Sequence, residues 1–397
     1  MIYLKTRMVS LVLAFGIFFT LSCTVFDRTS DSSSNATNTQ QQLEEVNQRL
    51  SDNPDDLDLQ QQKGELLVQL AFEREHPSQR TPLYRNFKDL YSEQSADQER
   101  FDDWESLKTK AWTEEQSTGV RILQQGQSDL EAVDTDLIAT HFENAILLNP
   151  DSVSTYNLLS NLYYRTGQLS KAISTLEEAY SISDEDEPSI LEKLAYLNLE
   201  SGNIEESIEM YSELVRSNPS GQVLNGLANA YMLNQQHSEA IEILRDLTEQ
   251  YPTRYEYSEA LAAQLYYVVA NQLTSATDQS LTAEQSDELF SKIDEIDSIF
   301  DSLSDNLPLS EEQMVRSGAF YKNTASLLSK LSSFDNENIQ NRVESKYITL
   351  LEKGMPVWES LFESNPENLL YIDALYEIYI ELDMDEEAEA LQRSSNF

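Results

Sequence analysis

The sequence predicts an all-α protein, and two observations carry that expectation. Only ten glycines and ten prolines occur in 397 residues, few of the punctuation marks that strands and hairpins need, while helix-favouring Leu, Glu, Ala and Gln are plentiful. From about residue 119, moreover, the apolar pattern repeats every 33 to 35 residues or so, the length of one helix–turn–helix unit. Small residues and turn signals recur at fixed places within that period.

The first 22 residues read as a secretory leader. Lys5 and Arg7 supply a positive region, and Met8 to Thr20 (MVSLVLAFGIFFT) form an apolar stretch. That stretch is shorter than the roughly 20 residues with which a helix crosses a bilayer. Ser22 before Cys23, with Leu21 ahead of it, resembles the lipobox of bacterial lipoproteins, which implies cleavage before Cys23 and acylation of its sulfur. Thr20 stands where that motif most often has leucine. Cys23 is the single cysteine, so no internal disulfide can form. Residues 23–42, above all Asp27 to Gln42 (DRTSDSSSNATNTQQQ), are polar and low in complexity, and predict a flexible spacer. Thr24, where aspartate would hold such a protein at the inner membrane, resembles lipoproteins sent to the outer membrane.

Residues 43–118 predict divergent N-terminal helices: a short one around Leu43 to Leu50, a unit junction at Asn53-Pro54 followed by Gly64, Leu67 and Ala71, then helical segments carrying Phe87, Leu90, Phe101, Trp104, Leu107 and Trp112 in no recognisable register.

Residues 119–254 hold the repeats. The clearest copy begins near Val153: Tyr156, Leu159 and Tyr163 mark a first helix, Gly167 a turn, and Ala172, Leu176 and Ala179 a second helix. The next offers Leu191, Leu194, Ala195, Gly202, Tyr211, Leu214 and Pro219, and the third Leu224, Leu227, Ala228, Tyr231, Ala240, Leu244, Leu247 and Pro252. Gly126, Phe142, Ala145 and Pro150 complete a looser copy upstream. The large–large–aromatic then small–large–small order resembles the tetratricopeptide repeat. Ser160 stands where that family has glycine or alanine, and Asp184 where it has proline. The resemblance implies a superhelical stack of antiparallel helix pairs, in which one pair cannot bury its apolar face without its neighbours.

Residues 255–334 predict longer, irregular helices. Within them Leu289, Ile293, Ile296, Phe300 and Leu303 alternate spacings of four and three, one apolar stripe of a helix that packs inside the array. In residues 335–397, Trp358, Leu361 and Pro366 close one helix, and Ile372, Leu375, Tyr379 and Ala388 resemble a last repeat acting as a cap.

Seventy acidic against 27 basic residues leave a net charge of −43. A field of that sign repels nucleic acid and favours basic partners. His76, His141 and His237 are scattered and sit in no ligand pattern, so no metal or other cofactor is expected. No phosphate loop or nucleophile motif is legible, and paired carboxylates in so acidic a chain carry no information. The expectation is a protein that is not an enzyme.

Attention therefore falls on the exposed positions of the first helices, which in tetratricopeptide arrays line a concave groove. Asn157 and Asn161 in one copy, and Asn225 and Asn229 in another, stand at i, i+4 on one helical face, and asparagine can serve both polar groups of an extended peptide. Tyr164, Tyr196 and Met232 fall on or beside the same surface. These readings describe a lipid-anchored scaffold of the cell envelope, on the periplasmic side of the outer membrane in preference to the inner membrane, that binds a periplasmic or outer-membrane protein. The alternative is a small-ligand-enclosing lipoprotein resembling the T component of TRAP transporters.

Overall fold

The computed structural model describes residues 32–94, 100–126, 133–183, 187–276, 282–306, 308–331 and 337–394. The leader and Cys23 lie outside them, as does Asp184. Every regular element among the described residues is a helix. In chain order these are α1 (Ser32–Asp52), α2 (Leu57–Glu73), α3 (Pro77–Gln94), α4 (Phe101–Gln125), α5 (Thr135–Leu148), α6 (Val153–Arg165), α7 (Leu169–Ile182), α8 (Pro188–Ser201), α9 (Ile204–Ser217), α10 (Gly221–Leu233), α11 (His237–Gln250), α12 (Tyr255–Ala276), α13 (Ala283–Asn306), α14 (Glu311–Leu328), α15 (Glu337–Ser364), α16 (Leu369–Glu381) and α17 (Asp385–Ser394). They fall into two compact units. The first holds the described residues up to Gly119 together with Glu143–Asn149; the second holds Val120–Phe142 and everything from Pro150 onward.

In the first unit α1 packs on α2 and α2 on α3. Residues 32–42, which composition assigns to a flexible spacer, are instead the opening turns of α1. The reason is tertiary: Thr39 is buried, its hydroxyl donates to Glu73 of α2 at 2.8 Å, and Gln69 donates back to it at 3.1 Å. Of the aromatic residues that follow no repeat, Phe87 and Trp104 form this unit's core, ring to ring at 5.9 Å, and Trp112 packs against it, while Phe101 is exposed. Gly64 is needed beneath Trp104, because a Cβ there would come within 2.4 Å of the indole. Beside it Arg80 and Glu115 form a buried ion pair at 2.9 Å. Arg80 also donates to the Arg74 carbonyl and Tyr84 donates to Glu115 at 2.8 Å, which satisfies charges that would otherwise be costly to bury. Burial, and then the Glu115 carboxylate, hold the Tyr84 phenol far above its ordinary range.

The second unit is a run of helix pairs. α6 packs on α7, α8 on α9 and α10 on α11, and each pair packs on the next through α7·α8, α9·α10 and α11·α12. Tyr156, Leu159, Tyr163, Ala172, Leu176 and Ala179 are all buried, as the repeat pattern requires. Ser160, in place of the usual small apolar residue, donates across the helix contact to the Ala172 carbonyl at 2.9 Å. In the next pair the roles exchange, and Ser207 donates to the Ala195 carbonyl at 2.8 Å. A small side chain lets the helices touch, and the buried hydroxyl is satisfied by the backbone it touches.

One turn geometry joins the helices of a pair. Gly167 and Gly202 take positive φ of 74° and 89°, and Gln235 and Asp383 occupy the same place in their pairs at 60° and 56°. In all four the next residue donates its N–H back into the first helix: Gln168 to Tyr163, Asn203 to Asn198, Gln236 to Tyr231 and Met384 to Tyr379, at 2.8 to 2.9 Å. This is the backbone closure that usually demands glycine. Pro150, Pro219, Pro252 and Pro366 each follow the end of a second helix, α5, α9, α11 and α15, where they prevent its continuation.

Residues 255–334, expected to be irregular, keep the pairing with longer helices. α12 packs on α13, α14 on α15, and α15 on α16, so the α14/α15 pair runs through the boundary drawn at 334. The stripe of Leu289, Ile293, Ile296, Phe300 and Leu303 is turned into the array, with Phe300 at 5.6 Å from Phe320. Polar links join like helices of successive pairs. Arg245 meets Glu295, Arg342 meets Asp287, Lys346 meets Asp294 and Lys353 meets Asp297 between second helices, and Arg316 meets Glu259 between first helices. Partners on α13 and α15 rise in number together, so those two helices run parallel, as second helices of adjacent pairs must.

Replacing Gln235 by glycine is expected to stabilise the protein by about 0.5–1 kcal/mol. The αL conformation costs a side-chain-bearing residue roughly 1–2 kcal/mol, and glycine's greater unfolded freedom returns part of that. A urea midpoint raised at unchanged slope is the result that checks it. A second expectation concerns alkaline pH. Burial raises the phenols of Tyr84, Tyr211, Tyr321 and Tyr379 above their ordinary value, and neighbouring carboxylates raise them further. A raised folded pKa favours the neutral form in the native state, so stability is intact below about pH 10, where unfolded tyrosine titrates, and falls as pH rises beyond it. Denaturation midpoints measured from pH 8 to 11 should stay level and then drop, with tyrosinate absorbance appearing together with unfolding.

Candidate functional site

The sequence points to the first helices α6, α8 and α10, whose exposed positions repeat from pair to pair. On α6, Asn157, Asn161 and Tyr164 lie at i, i+4, i+7 and share a face. The pattern Val153–Arg165 places Tyr156, Leu159 and Tyr163 in the core, which leaves these three turned away from it. Asn157 is half-buried and Asn161 exposed.

Two cross-links tie this face to α8. Lys193 donates to the Asn157 side-chain oxygen at 2.8 Å, while the Asn157 amide donates to the Val153 carbonyl at 3.2 Å. The Tyr164 and Tyr196 hydroxyls are 2.9 Å apart, their rings edge to face at 6.0 Å. Tyr196 keeps 38% of its surface exposed, so the ring pair forms an accessible aromatic shelf. The exposed Gln222 of α10 lowers the Glu192 carboxylate's pKa on α8, against the effect of burial. On α10 Asn225 and Asn229 are half-buried, and Met232 is half-buried against the core that begins at Ala228.

Electrostatics follow from partial burial. Desolvation is the main influence on both charged residues in the middle of the face, raising Glu192 against the hydrogen bond from Gln222 and lowering Lys193 against the carboxylates Glu187 and Glu192. Desolvation also raises Tyr196, with contributions from the Tyr164 bond and from Glu200 one turn away. The face thus offers amides, one amine held by an amide oxygen, two phenols and flanking carboxylates. That assortment can grip a polar chain and cover an apolar group; it contains no activated nucleophile and base in contact.

Comparison with known proteins bears on the same helices. Residues 153–266 match a family model described as virulence factor membrane-bound polymerase, C-terminal, a span from the start of α6 into α12 and well under half of the chain. No curated protein matches. Among solved structures, the C-terminal part of a TPR repeat-containing protein from Cytophaga hutchinsonii is similar at 13% identity and a TM-score of 0.47, over 79% of this chain and 99% of that one. PilF of Pseudomonas aeruginosa is similar at 12% identity and 0.39, over 69% and 99%. YrrB, described as a TPR protein with an unusual peptide-binding site, is similar at 16% identity and 0.37, over 59% and 98%. The fold is tetratricopeptide-like. That assignment rests on the paired helices, the repeated left-handed turn and the recurring small-residue contact.

Of the residues singled out from sequence, Asn157, Tyr164 and Tyr196 are brought into one linked cluster beside Asn161. Asn225, Asn229 and Met232 continue along α10, and Cys23 lies outside the described residues. Lys193 and Gln222 were not foreseen. The signal that finds them is separation: Asn157 and Lys193 stand 36 residues apart, Tyr164 and Tyr196 stand 32 apart, each about one repeat. Polar pairs at that interval meet across neighbouring first helices.

A double-mutant cycle of Tyr164→Phe and Tyr196→Phe should return a coupling of about 0.5–1.5 kcal/mol in chemical denaturation, the net worth of one hydroxyl hydrogen bond. Additive losses would mean that the two hydroxyls do not hold each other.

Proposed function

We propose that this protein is a membrane-tethered scaffold, which binds an extended segment of another envelope protein along the faces of α6, α8 and α10. The observation that supports it is the linked row of polar and aromatic groups across the first helices α6 and α8, through Asn157–Lys193 and Tyr164–Tyr196, with Asn225 and Asn229 half-buried on the next first helix, α10. Asn161 and Tyr196 remain exposed in that row. Amides can pair with both polar groups of a peptide backbone, and the tyrosine shelf can cover one of its apolar side chains.

On this reading acylated Cys23 holds the array at the periplasmic side of the outer membrane. Confinement to a surface raises the effective concentration of the partner without any new contact, although one acyl chain binds a membrane only reversibly and stable anchoring needs a second. The role is recognition, with no reaction of its own.

In-cell crosslinking of the native protein, followed by identification of what is captured, tests the binding face. The Asn157/Asn161/Asn225/Asn229→Ala variant should retain the parent's helical circular dichroism and lose most of the captured partner. A folded variant that captures as much as the parent removes the face from the mechanism. Cys23→Ser should separately shift the protein from membrane to soluble fractions and abolish incorporation of labelled palmitate.

A further inference from the structure

Towards the C-terminal end of the second unit, α14, α15 and α16 enclose a small cavity of about 160 Å³ that lies well apart in sequence from the asparagine face. Its floor is Leu351 and Ile378, and its walls are Tyr347 and Tyr376. Ile380 at the cavity is 43% exposed, so the apolar lining here extends to solvent. Such side chains are ordinarily covered when they gather at a concavity.

The rim is charged with one sign in excess. Glu377 and Glu381 stand one turn apart on α16, and Asp383 adds to the field felt by Tyr347. Lys322 of α14 is the base that lines the cavity, and Glu377 takes it as an ion pair. Glu381 accepts a hydrogen bond from the Tyr347 hydroxyl, a neutral donor that leaves the carboxylate charge uncompensated.

We infer that this cavity is a binding site for a single lysine or arginine side chain presented by a partner polypeptide. The methylene stem lies on Ile380, Leu351 and the tyrosine faces, and the cationic head reaches Glu381. Size decides against a free small molecule, whose sites commonly run to about 300–1,000 Å³, whereas one long side chain suits the smaller volume. Charge decides against an acidic side chain and favours a cationic one, because the carboxylates outnumber Lys322. Aromatic walls add attraction for a cation over a ring face. The site is independent of the asparagine face and can stand or fall without it.

The test uses the full chain with its isoleucine methyl groups labelled for nuclear magnetic resonance, titrated with n-butylguanidinium and, in parallel, with pentanoate and n-butanol. Butylguanidinium should shift the Ile378 and Ile380 methyls saturably at millimolar concentration, and pentanoate should leave them in place. Glu381→Gln, which keeps the tyrosine contact and the fold, should weaken butylguanidinium binding at least threefold, while Lys322→Ala, which frees Glu377, should strengthen it or leave it unchanged. Equal shifts with pentanoate or butanol, or undiminished binding to a Glu381→Gln protein whose other isoleucine signals are unmoved, would overturn the assignment.

Discussion

The second unit depends on one constraint: the two helices of a pair must come close enough for backbone to touch small side chain. At Ser160 against Ala172, and at Ala195 against Ser207, the contact is a hydroxyl on a carbonyl across the interface. Nothing larger fits in such an approach without forcing the helices apart, and overpacking of this kind typically costs about 1–3 kcal/mol. Because the contact fixes rotation as well as distance, it also decides which residues of α6 and α8 face outward. The alignment of Asn157 with Lys193 and of Tyr164 with Tyr196 follows from how the helices close on each other.

Repetition then turns a local contact into a surface. Each pair buries one flank of its neighbour, so the register of one pair is inherited by the next through α7·α8, α9·α10 and α11·α12. Polar links join first helix to first helix and second helix to second helix, on the outside of that core. They are mostly exposed, and individually such pairs are worth only about 0.2–1 kcal/mol. They are better understood as consequences of a register set by apolar packing than as its cause. The parallel ladder between α13 and α15 reports that register, because its three rungs can form together only if neither helix is slipped by a turn.

The same links explain how far the fold was legible in the sequence. Between residues 153 and 252 the repeat length is nearly constant, and the small, large and aromatic positions named from spacing alone are buried, apart from Leu224 and Tyr231, which are half-buried against the core. Beyond that, partners of like helices stand 50 to 57 residues apart, as in Arg245–Glu295 and Arg316–Glu259, against 32 and 36 on the α6–α8 face. Helices of 22, 24, 18 and 28 residues replace helices of 13 or 14. A search at one period loses such units although their physics is unchanged, and the stripe through Ile293 and Ile296 was visible without the pairing it served. Thr39 failed for another reason. Its helix is held by Glu73 and Gln69, 34 and 30 residues away, which composition cannot register.

For the candidate face, the half that sequence could see was the half carried by single-helix spacing. Asn157, Asn161 and Tyr164 share a side of α6 whatever packs behind them, but the significance of Tyr196 came from a partner on another helix. Charge behaved similarly. A total of −43 says that the surface is acidic, yet not where the acid is free. In the later pairs Arg316, Lys322, Arg342, Lys346 and Lys353 are all engaged in pairs between neighbouring helices. These bases are thereby occupied by partners within the stack, and the excess carboxylates are left on its outside. The acidity a partner meets is therefore set by architecture: where internal links use a lysine, as at Lys322, the neighbouring glutamates outnumber the bases left beside them and face whatever approaches.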